Sequence, residues 1–303
     1  MRKFIVHIIF FFLLVSIVDI VAGQVFWYLQ SKVANGRTGA EYHLCKESYE
    51  DILVMGSSRA SHHYVPSVFS DSLGMSCFIA GQDGNGIILQ YGRWKMISER
   101  YSPKLIIYDV SVDFDLREND NFRYIDRLKP YSRDVAVWDY LRKLFPLEGV
   151  KLFSQLYRYN YKFLEIVSDC RLKNKSDQNG YIPLFGSIRD EIVRRDVPAE
   201  AASFPIDSVK LSFLVKLVEE VRDQGGKMVF VVSPYWKSIR YDYSSLQALA
   251  MGLDVPLFDY SYTSGFSDNR DLFEDSSHLN DLGATLFSQD LVKKIKAFLE
   301  CGL

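Results

Sequence analysis

The sequence has few cysteines, and their spacing excludes the common cysteine-based structural sites. Only four occur in 303 residues, and no two of them form a CxxC pair. A zinc site is therefore not expected. None directly follows the first apolar run, which argues against a lipoprotein. Cys45, Cys77, Cys170 and Cys301 fit either disulfides in an exported domain or four buried thiols.

The sequence also lacks an excess of charge of either sign. Its 36 basic and 38 acidic residues leave a formal net charge of −2, without a long run of lysine and arginine. Nucleic-acid binding is therefore not expected. The stretch GQDGNG lacks the lysine and the spacing of a phosphate-binding loop. The 48% hydrophobic and 15% aromatic content is typical of a globular protein with a large core. A carbohydrate-facing cleft is the less favoured use of the aromatic residues.

The longest apolar run lies at the N-terminus. His7 and Asp19 are the only acidic or basic side chains in residues 4–30. A membrane span needs about 20 apolar residues, and Trp27 and Tyr28 fall where an interfacial aromatic belt is expected. Ala22-Gly23 could serve as a signal-peptide cleavage site. The run continues past that site, which favours an uncleaved anchor over residues 1–30.

The charges that flank this run give little information about orientation. Two basic residues precede the run, and Lys32 and Arg37 follow it. The very short N-terminal tail is typical of a signal anchor, which places the large domain outside the cytoplasm, at the cell membrane. Residues 31–50 are then a juxtamembrane linker, and residues 51–303 form the globular domain.

Five short β-rich runs alternate with amphipathic segments from residue 51 onward. The predicted strands are DILVM (51–55), MSCFIA (75–80), KLIIYDV (104–110), KMVFVVS (227–233) and VPLFDY (255–260). The predicted helices are Tyr64–Leu73, Gly86–Arg100, Ser208–Gln224, Tyr243–Met251 and Leu282–Leu299. Continuous apolar runs are typical of parallel strands that are covered on both faces. We therefore expect a doubly wound α/β domain with a five-stranded parallel sheet, whose ligands bind outside the carboxyl ends of the strands.

Residues 115–205 interrupt this alternation with charged, aromatic and Gly-Asn-rich stretches. We expect them to form an insertion between the third and fourth strands, partly helical near residues 134–168. The insertion either covers the ligand crevice or decorates the fold without contacting substrate.

The first predicted strand ends in an unusually polar turn, in DILVMGSSRASHHY. A strand-to-helix turn commonly uses glycine for its conformational freedom and serine as a helix cap. In the second interpretation, one serine is a nucleophile at the carboxyl edge of the sheet.

A second polar stretch, DSSHLN, precedes the last predicted helix. Asp275 and His278 are separated by two residues, so the carboxylate can hold the imidazole ring. The other ring nitrogen can then take a proton from a serine hydroxyl. Asp275 or Ser277 could equally act as a helix cap, with His278 as a surface group.

The stretches ILVMGSSRA and DSSHLN together resemble the first and last sequence blocks of the SGNH/GDSL hydrolases. The resemblance extends over residues 50–299, apart from the insertion. It implies a flavodoxin-like three-layer α/β/α sandwich that hydrolyses or transfers acyl groups on esters, often of carbohydrates. It also implies that Ser58 is the nucleophile, with Ser57 in place of the family's Asp. Asp275 and His278 match the Asp-x-x-His block without gaps.

The middle blocks of the family match less well. The resemblance implies that backbone N–H groups of Ser58 and Gly81 form the oxyanion hole. The third block normally ends in Gly-x-Asn-Asp, but Val112 stands where the Asn would be, while Asp113 is kept. Either Ser111 or an insertion residue replaces the missing donor, or the activity is weak or lost. Ser111 and Asp113 are candidate substrate-binding residues.

Three further polar residues follow the Ser58 turn. Arg59 is a third candidate for substrate binding, and it could instead pair with Asp113 or Asp83, or be solvated. His62 and His63 are expected to line the cleft or lie at the surface, rather than to act as the base.

These features predict a membrane-anchored serine esterase or O-acyltransferase that acts outside the cytoplasm on acylated, most simply acetylated, cell-surface glycans. No metal and no organic cofactor are implied. The alternative is a catalytically inactive relative that serves as an anchored scaffold or a glycan-binding module.

Overall fold

The computed structural model describes residues 1–118, 125–171, 179–188, 205–236 and 241–301. The chain divides into two compact units. The helical unit comprises Met1–Ser48, Lys95–Glu99 and Ile125–Ser176. The sheet unit comprises Tyr49–Trp94, Arg100–Tyr124 and Asp177–Leu303.

The regular elements of the described residues alternate between helices and short strands. The helices are α1 (Arg2–Lys32), α2 (Gly36–Tyr42), α3 (Ser58–His63), α4 (Pro66–Leu73), α5 (Ile87–Ile97), α6 (Val135–Leu144), α7 (Pro146–Lys151), α8 (Phe163–Asp169), α9 (Ser208–Asp223), α10 (Ser244–Gly252) and α11 (Asp281–Cys301). The strands are β1 (Ile52–Gly56), β2 (Cys77–Ile79), β3 (Leu105–Asp109), β4 (Lys227–Val232) and β5 (Leu257–Asp259).

The five strands form one parallel sheet in the order β2-β1-β3-β4-β5. This confirms the predicted α/β fold, and the strand order is that of flavodoxin-like proteins. β2 lies on one side of β1, and β3, β4 and β5 follow on its other side. The point at which the strand order switches is therefore between β1 and β3, where Gly56 pairs with Asp109. β1 and β3 are completely buried, which explains their unbroken apolar sequences. A ligand crevice is expected at the carboxyl ends of these two strands.

The first predicted helix of the sheet unit, Tyr64–Leu73, corresponds to α4 and is preceded by a short helix that was not predicted. Residues 58–63, which were not predicted as helical, form α3, and α4 begins at Pro66. The break falls at Val65, whose backbone is extended. Proline disfavours the helical conformation in the residue before it and fits the first position of a new helix.

The remaining elements of the sheet unit follow the predictions closely. The edge strands β2 and β5 have three residues each, shorter than predicted. Short edge strands limit unwanted pairing with other chains. Asp207 caps α9 by accepting hydrogen bonds from two backbone N–H groups of its first turn. The helix α11 buries one face, including Phe287 and Leu291, against the rest of the unit.

The helical unit is built around the C-terminal part of α1. This helix is long and apolar enough to cross a membrane. Gly23 lies so close to Gln155 that a Cβ atom on the glycine would come within 2.2 Å of the Gln155 Cβ. The Phe26 ring stacks on Tyr159 with 5.6 Å between the centroids. The second half of α1 is therefore packed within this unit.

The predicted linker differs from the structure, whereas the helices predicted in the insertion near residues 134–168 are confirmed. Residues 31–50, predicted as a linker, contain α2 and a π-helical turn at His43–Glu47. Thr38, Gly39 and Glu41 of α2 are buried. The Thr38 N–H donates to Asp169, the last residue of α8, at 2.9 Å. The predicted insertion contributes α6, α7 and α8 to the helical unit, and part of it lies outside the described residues.

All four cysteines are free thiols. Cys45 and Cys77 are buried, and Cys170 and Cys301 are exposed.

Candidate active site

Ser58 lies at the carboxyl end of β1, as the first residue of α3. The strand ends at Gly56, whose φ of 143° is rarely accessible to other residues. A Cβ atom at Gly56 would also lie 2.8 Å from the Asp109 carbonyl oxygen on β3. Glycine thus allows β1 to turn sharply beside β3, which leaves the Ser58 side chain partly exposed at the sheet edge.

The Ser58 hydroxyl meets a histidine from the other end of the chain. The Ser58 Oγ lies 2.8 Å from Nε2 of His278. Nδ1 of the same ring lies 2.8 Å from a carboxylate oxygen of Asp275. Because a carboxylate only accepts hydrogen bonds, Nδ1 carries a proton and Nε2 is left to accept the serine proton. The three groups form one hydrogen-bonded series that ends at a partly exposed hydroxyl.

Asp275 also shapes the loop that carries His278. Its second carboxylate oxygen accepts the backbone N–H groups of Ser277 at 2.6 Å and of His278 at 2.9 Å. Burial alone would raise the pKa of Asp275, but the hydrogen bonds and charge of His278 and the two backbone bonds lower it below its ordinary value. Asp275 is therefore ionised at neutral pH and holds both the backbone and the ring of His278.

His63 holds the same loop from the protein interior. It was predicted to line the cleft or lie at the surface. The ring is completely buried, neither at the surface nor in the cleft. Nδ1 lies 2.9 Å from the Ser233 hydroxyl, and Nε2 accepts the backbone N–H of Leu279 at 3.0 Å. Burial, followed by the charges of His278 and Arg59, lowers the pKa of His63 well below its ordinary value. His63 is a neutral acceptor.

His62 lines the other side of the His278 ring. Its Nδ1 lies 2.7 Å from the Ile182 carbonyl oxygen, so Nδ1 carries a proton. Its Nε2 lies 3.2 Å from a carboxylate oxygen of Asp83. The rings of His62 and His278 meet edge to face, with 5.4 Å between their centroids. His62 therefore contributes to the wall around His278.

Arg59 faces the protein interior, unlike the prediction of a substrate-binding side chain. Its guanidinium lies 3.3 Å from Asp109 and donates to the Val110 carbonyl at 3.0 Å. It also lies over the Tyr235 ring, 5.5 Å from the centroid. The ion-pair partner is thus Asp109, rather than the predicted Asp113 or Asp83. Since the residue is buried and paired, Arg59 stabilises the ends of β1 and β3.

Asp109 is the centre of a buried polar network below the site. Besides Arg59, it accepts hydrogen bonds from the Tyr64 hydroxyl at 2.6 Å and from Ser233. Burial raises the pKa of Asp109, and its three partners offset only part of that effect. Ser233 also contacts His63. The network therefore connects the Asp109 carboxylate to the loop beside His278. Sequence reasoning missed it, because its members are far apart in the chain.

Gly81 follows β2 and packs directly against α3. A Cβ atom at this position would lie 2.3 Å from the backbone nitrogen of Ser61. Because β2 pairs with β1 in parallel, Gly81 reaches the same sheet edge as Ser58. Only glycine permits so close an approach of the two backbones.

Ser111 and Asp113 follow β3 and contact each other. The Ser111 hydroxyl donates to a carboxylate oxygen of Asp113 at 2.7 Å. Asp113 also accepts a hydrogen bond from the Tyr241 hydroxyl. Since Asp109 pairs with Gly56, this turn lies at the same sheet edge as the Ser58 turn. Val112 occupies the middle of the turn and has no polar side chain to offer.

Three tyrosines from the segments after β4, before α10 and after β5 form a cluster, of which Tyr235 contacts Arg59. The hydroxyls of Tyr235 and Tyr243 are 2.9 Å apart, and those of Tyr235 and Tyr262 are 3.4 Å apart. Tyr262 is the exposed member.

Among the described residues, no group of three or more His, Cys, Asp or Glu side chains is placed to hold a metal ion. A groove of about 830 Å³ lined by Arg222, Lys227 and neighbouring side chains lies at the opposite, amino ends of β4 and β5.

No protein-family model matches this chain, and no curated protein matches it significantly.

Proposed function

We propose that the sheet unit is a serine esterase or O-acyltransferase of the SGNH type. The observation that carries the proposal is the hydrogen-bonded series Ser58–His278–Asp275, with 2.8 Å at each step. A hydroxyl, an imidazole and a carboxylate in this order are the groups that activate a serine for acyl transfer.

In the proposed reaction, Ser58 Oγ attacks the carbonyl carbon of an ester and gives its proton to Nε2 of His278. Asp275 stabilises the resulting imidazolium and keeps the ring in place. His278 then returns the proton to the leaving alcohol as the carbon–oxygen bond breaks, which leaves an acyl group on Ser58. Water or an acceptor hydroxyl attacks this acyl-enzyme, with His278 again taking the proton, and the serine is regenerated.

Two backbone N–H groups are the proposed donors to the oxyanion that forms during the attack. The Ser58 N–H lies in the first turn of α3, where no intrahelical acceptor is available. Gly81 lies against α3 just after β2, and its N–H is the second proposed donor. Donors of this type stabilise charge that appears only in the transition state.

The proposed substrates are acylated, most simply acetylated, cell-surface glycans. Tyr262 supports this class because it offers an exposed aromatic side chain beside the sheet edge. The long apolar helix α1 supports attachment to the cell membrane, with the sheet unit outside the cytoplasm. A C-terminal fusion to a reporter that is active only outside the cytoplasm tests this orientation. Lack of reporter activity in a stably expressed fusion would contradict it.

The second candidate is a catalytically inactive scaffold or glycan-binding module. Val112 favours it, because no side-chain donor stands at that position of the turn after β3. The intact Ser58–His278–Asp275 series favours the enzyme.

The decisive experiment is covalent labelling with a fluorophosphonate probe. The wild type is expected to be labelled and Ser58→Ala is expected not to be. Ser57→Ala is the matched control, since this neighbouring serine makes no side-chain bond to the first turn of α3. It should be labelled like the wild type. A folded wild-type protein that resists labelling, or equal labelling of Ser58→Ala, would favour the non-catalytic candidate.

A further inference from the structure

The helical unit exposes a group of apolar side chains that is unusual for a surface in water. The exposed fractions are 75% for Leu147, 67% for Val150, 73% for Phe153 and 68% for Leu164. Groups of exposed apolar side chains commonly mark sites of contact with a protein or a membrane. We call the following set the apolar collar: Leu147, Val150, Phe153, Leu156, Tyr161 and Leu164.

Part of the collar forms a stripe along α7. Leu147, Val150 and Phe153 are three residues apart, so they lie on one side of the helix and its C-terminal continuation. The charged residues of α7 are occupied in ion pairs. Glu148 lies 2.9 Å from Lys151 and 3.3 Å from Lys129. α7 therefore has one apolar side and one polar side, as in helices that lie at a membrane surface.

The part of α1 that is free of protein contacts is too short to cross a bilayer alone. Residues 1–18 are exposed throughout, and packing begins at Asp19. The stretch from Phe4 to Val18 covers about 22 Å at ~1.5 Å per residue. The hydrocarbon core of a bilayer is about 30 Å thick, and any tilt of the helix increases the number of residues required. The span must therefore continue to about residue 23, through the part of α1 that is already packed.

The packed part of α1 is in direct contact with the segment that follows the stripe. The Asp19 carboxylate accepts hydrogen bonds from the Ser154 hydroxyl at 2.6 Å and from the backbone N–H groups of Gln155 at 2.7 Å and Leu156 at 2.9 Å. Gly23 approaches Gln155 closely. An ionisable group at membrane depth needs partners of this kind, since lipid provides none. The segment 154–156 is thus at the depth of residues 19–23.

We propose that the apolar collar lies in the bilayer, in the leaflet in which α1 ends. Asp19 lies about 6 Å below the edge of a hydrocarbon core that begins at Phe4 and ends near residue 23. Helices at membrane surfaces bury their apolar side by about 5–10 Å, which matches this depth. Tyr161 and Leu164 flank Phe163, which contacts Phe26 at 6.4 Å between ring centroids. Phe26 is about 4–5 Å past the edge of the hydrocarbon core, so these two side chains lie at the level of the lipid headgroups. The helical unit is therefore held by lipid through both α1 and the collar, independently of the proposed hydrolase activity.

Depth-dependent fluorescence quenching tests the proposal on the full chain in nanodiscs of phosphatidylcholine and phosphatidylglycerol (3:1). The exposed thiols are removed by Cys170→Ser and Cys301→Ser, while the buried cysteines stay. A polarity-sensitive fluorophore is attached at Phe153→Cys, and in a second variant at Leu147→Cys. The quencher is bromine on the acyl chains of the phosphatidylcholine.

Two control positions on the same unit calibrate the measurement. Phe11→Cys lies in the free part of α1 and reports full lipid contact. Ala34→Cys is exposed just beyond the end of α1, past the expected edge of the hydrocarbon core. We expect the probes at residues 153 and 147 to be quenched at least about three-fold more than the probe at residue 34. Thermal unfolding of each labelled protein confirms that it is folded.

If the probes at residues 153 and 147 are quenched no more than the probe at residue 34, while the probe at residue 11 is quenched, the collar does not lie in lipid. The proposal is also overturned if efficient Phe153→Cys cross-links between two chains show that a second copy covers the collar.

Discussion

The imidazole of His63 accepts a hydrogen bond of 3.0 Å from the backbone N–H of Leu279, the residue next to His278. The other nitrogen of His63 contacts Ser233, which in turn hydrogen-bonds the buried Asp109. The loop that carries His278 is thus held from the interior of the sheet unit. On the outer side, Asp275 holds the same loop through backbone and ring. The position of the proposed general base depends on both supports.

His63 is expected to act as a positioning residue. In His63→Leu the Leu279 N–H loses its acceptor, and we expect the rate of fluorophosphonate labelling per folded molecule to fall about 10- to 100-fold, since small displacements of reacting groups have effects of this size. The unsatisfied N–H should also destabilise the protein by about 1–3 kcal/mol. His63→Gln, whose amide oxygen can replace the acceptor, should recover much of the labelling rate. Equal rates in His63→Leu and the wild type would show that the loop does not need this bond.

Asp275→Asn is expected to slow acyl transfer with little effect on folding. The amide oxygen can still accept the backbone N–H groups of Ser277 and His278, but it no longer carries the charge that stabilises an imidazolium. Hydrolysis of a chromogenic acetyl ester should fall by at least about 100-fold. Asp271→Asn changes an exposed carboxylate on the same loop and serves as the control. Comparable turnover in the two variants would remove Asp275 from the mechanism.

Asp115 should give the sheet unit a characteristic dependence of stability on pH. Burial raises the pKa of Asp115 to about 6, despite hydrogen bonds from Tyr108 and from the Ile87 N–H. Because the folded state holds this proton more tightly than the unfolded state, the stabilising contribution is complete below the unfolded pKa of 3.8 and is lost as the pH rises through about 6.

Asp115→Asn, which is neutral at every pH, isolates this contribution. Relative to this variant, the wild type should lose up to about 3 kcal/mol of unfolding free energy between pH 4 and pH 7. Denaturant unfolding at several pH values measures the difference. Asp71→Asn, at an exposed site on α4, controls for a general effect of charge removal. A difference that does not change with pH would mean that Asp115 is ionised throughout this range.

The N-terminal helix is expected to stay attached to the mature protein. Cleavage after Ala22 would remove Asp19 and leave the Ser154 hydroxyl and the N–H groups of Gln155 and Leu156 without their acceptor. Intact-mass analysis of membrane-extracted protein should therefore give a mass near 35.0 kDa. A mature chain that begins at Gly23 would contradict the role of α1 in the helical unit.

Much of the fold was predictable because parallel strands leave a simple signal. All five strands were found at their predicted places, since buried strands need continuous apolar residues. The short helix α3 was missed, because residues 58–63 carry polar side chains that are typical of a turn. They are helical because α3 packs against Gly81 and the end of β1. Likewise, the sequence left Arg59 as a substrate-binding residue, a partner of Asp113 or Asp83, or a solvated group, and burial against Asp109 decided its role.

The sequence by itself determined the five strands and the helices between most of them, the apolar N-terminal helix, and which serine, histidine and aspartate to consider, because these depend on local pattern and spacing. The tertiary structure alone decided which partners each buried polar group has. Ser58 and His278 are separated by 220 residues, as are His63 and Leu279 by 216, and a hydrogen bond across such a distance leaves no local trace in the chain. Only the packing of helices on the sheet brings such groups within reach of each other.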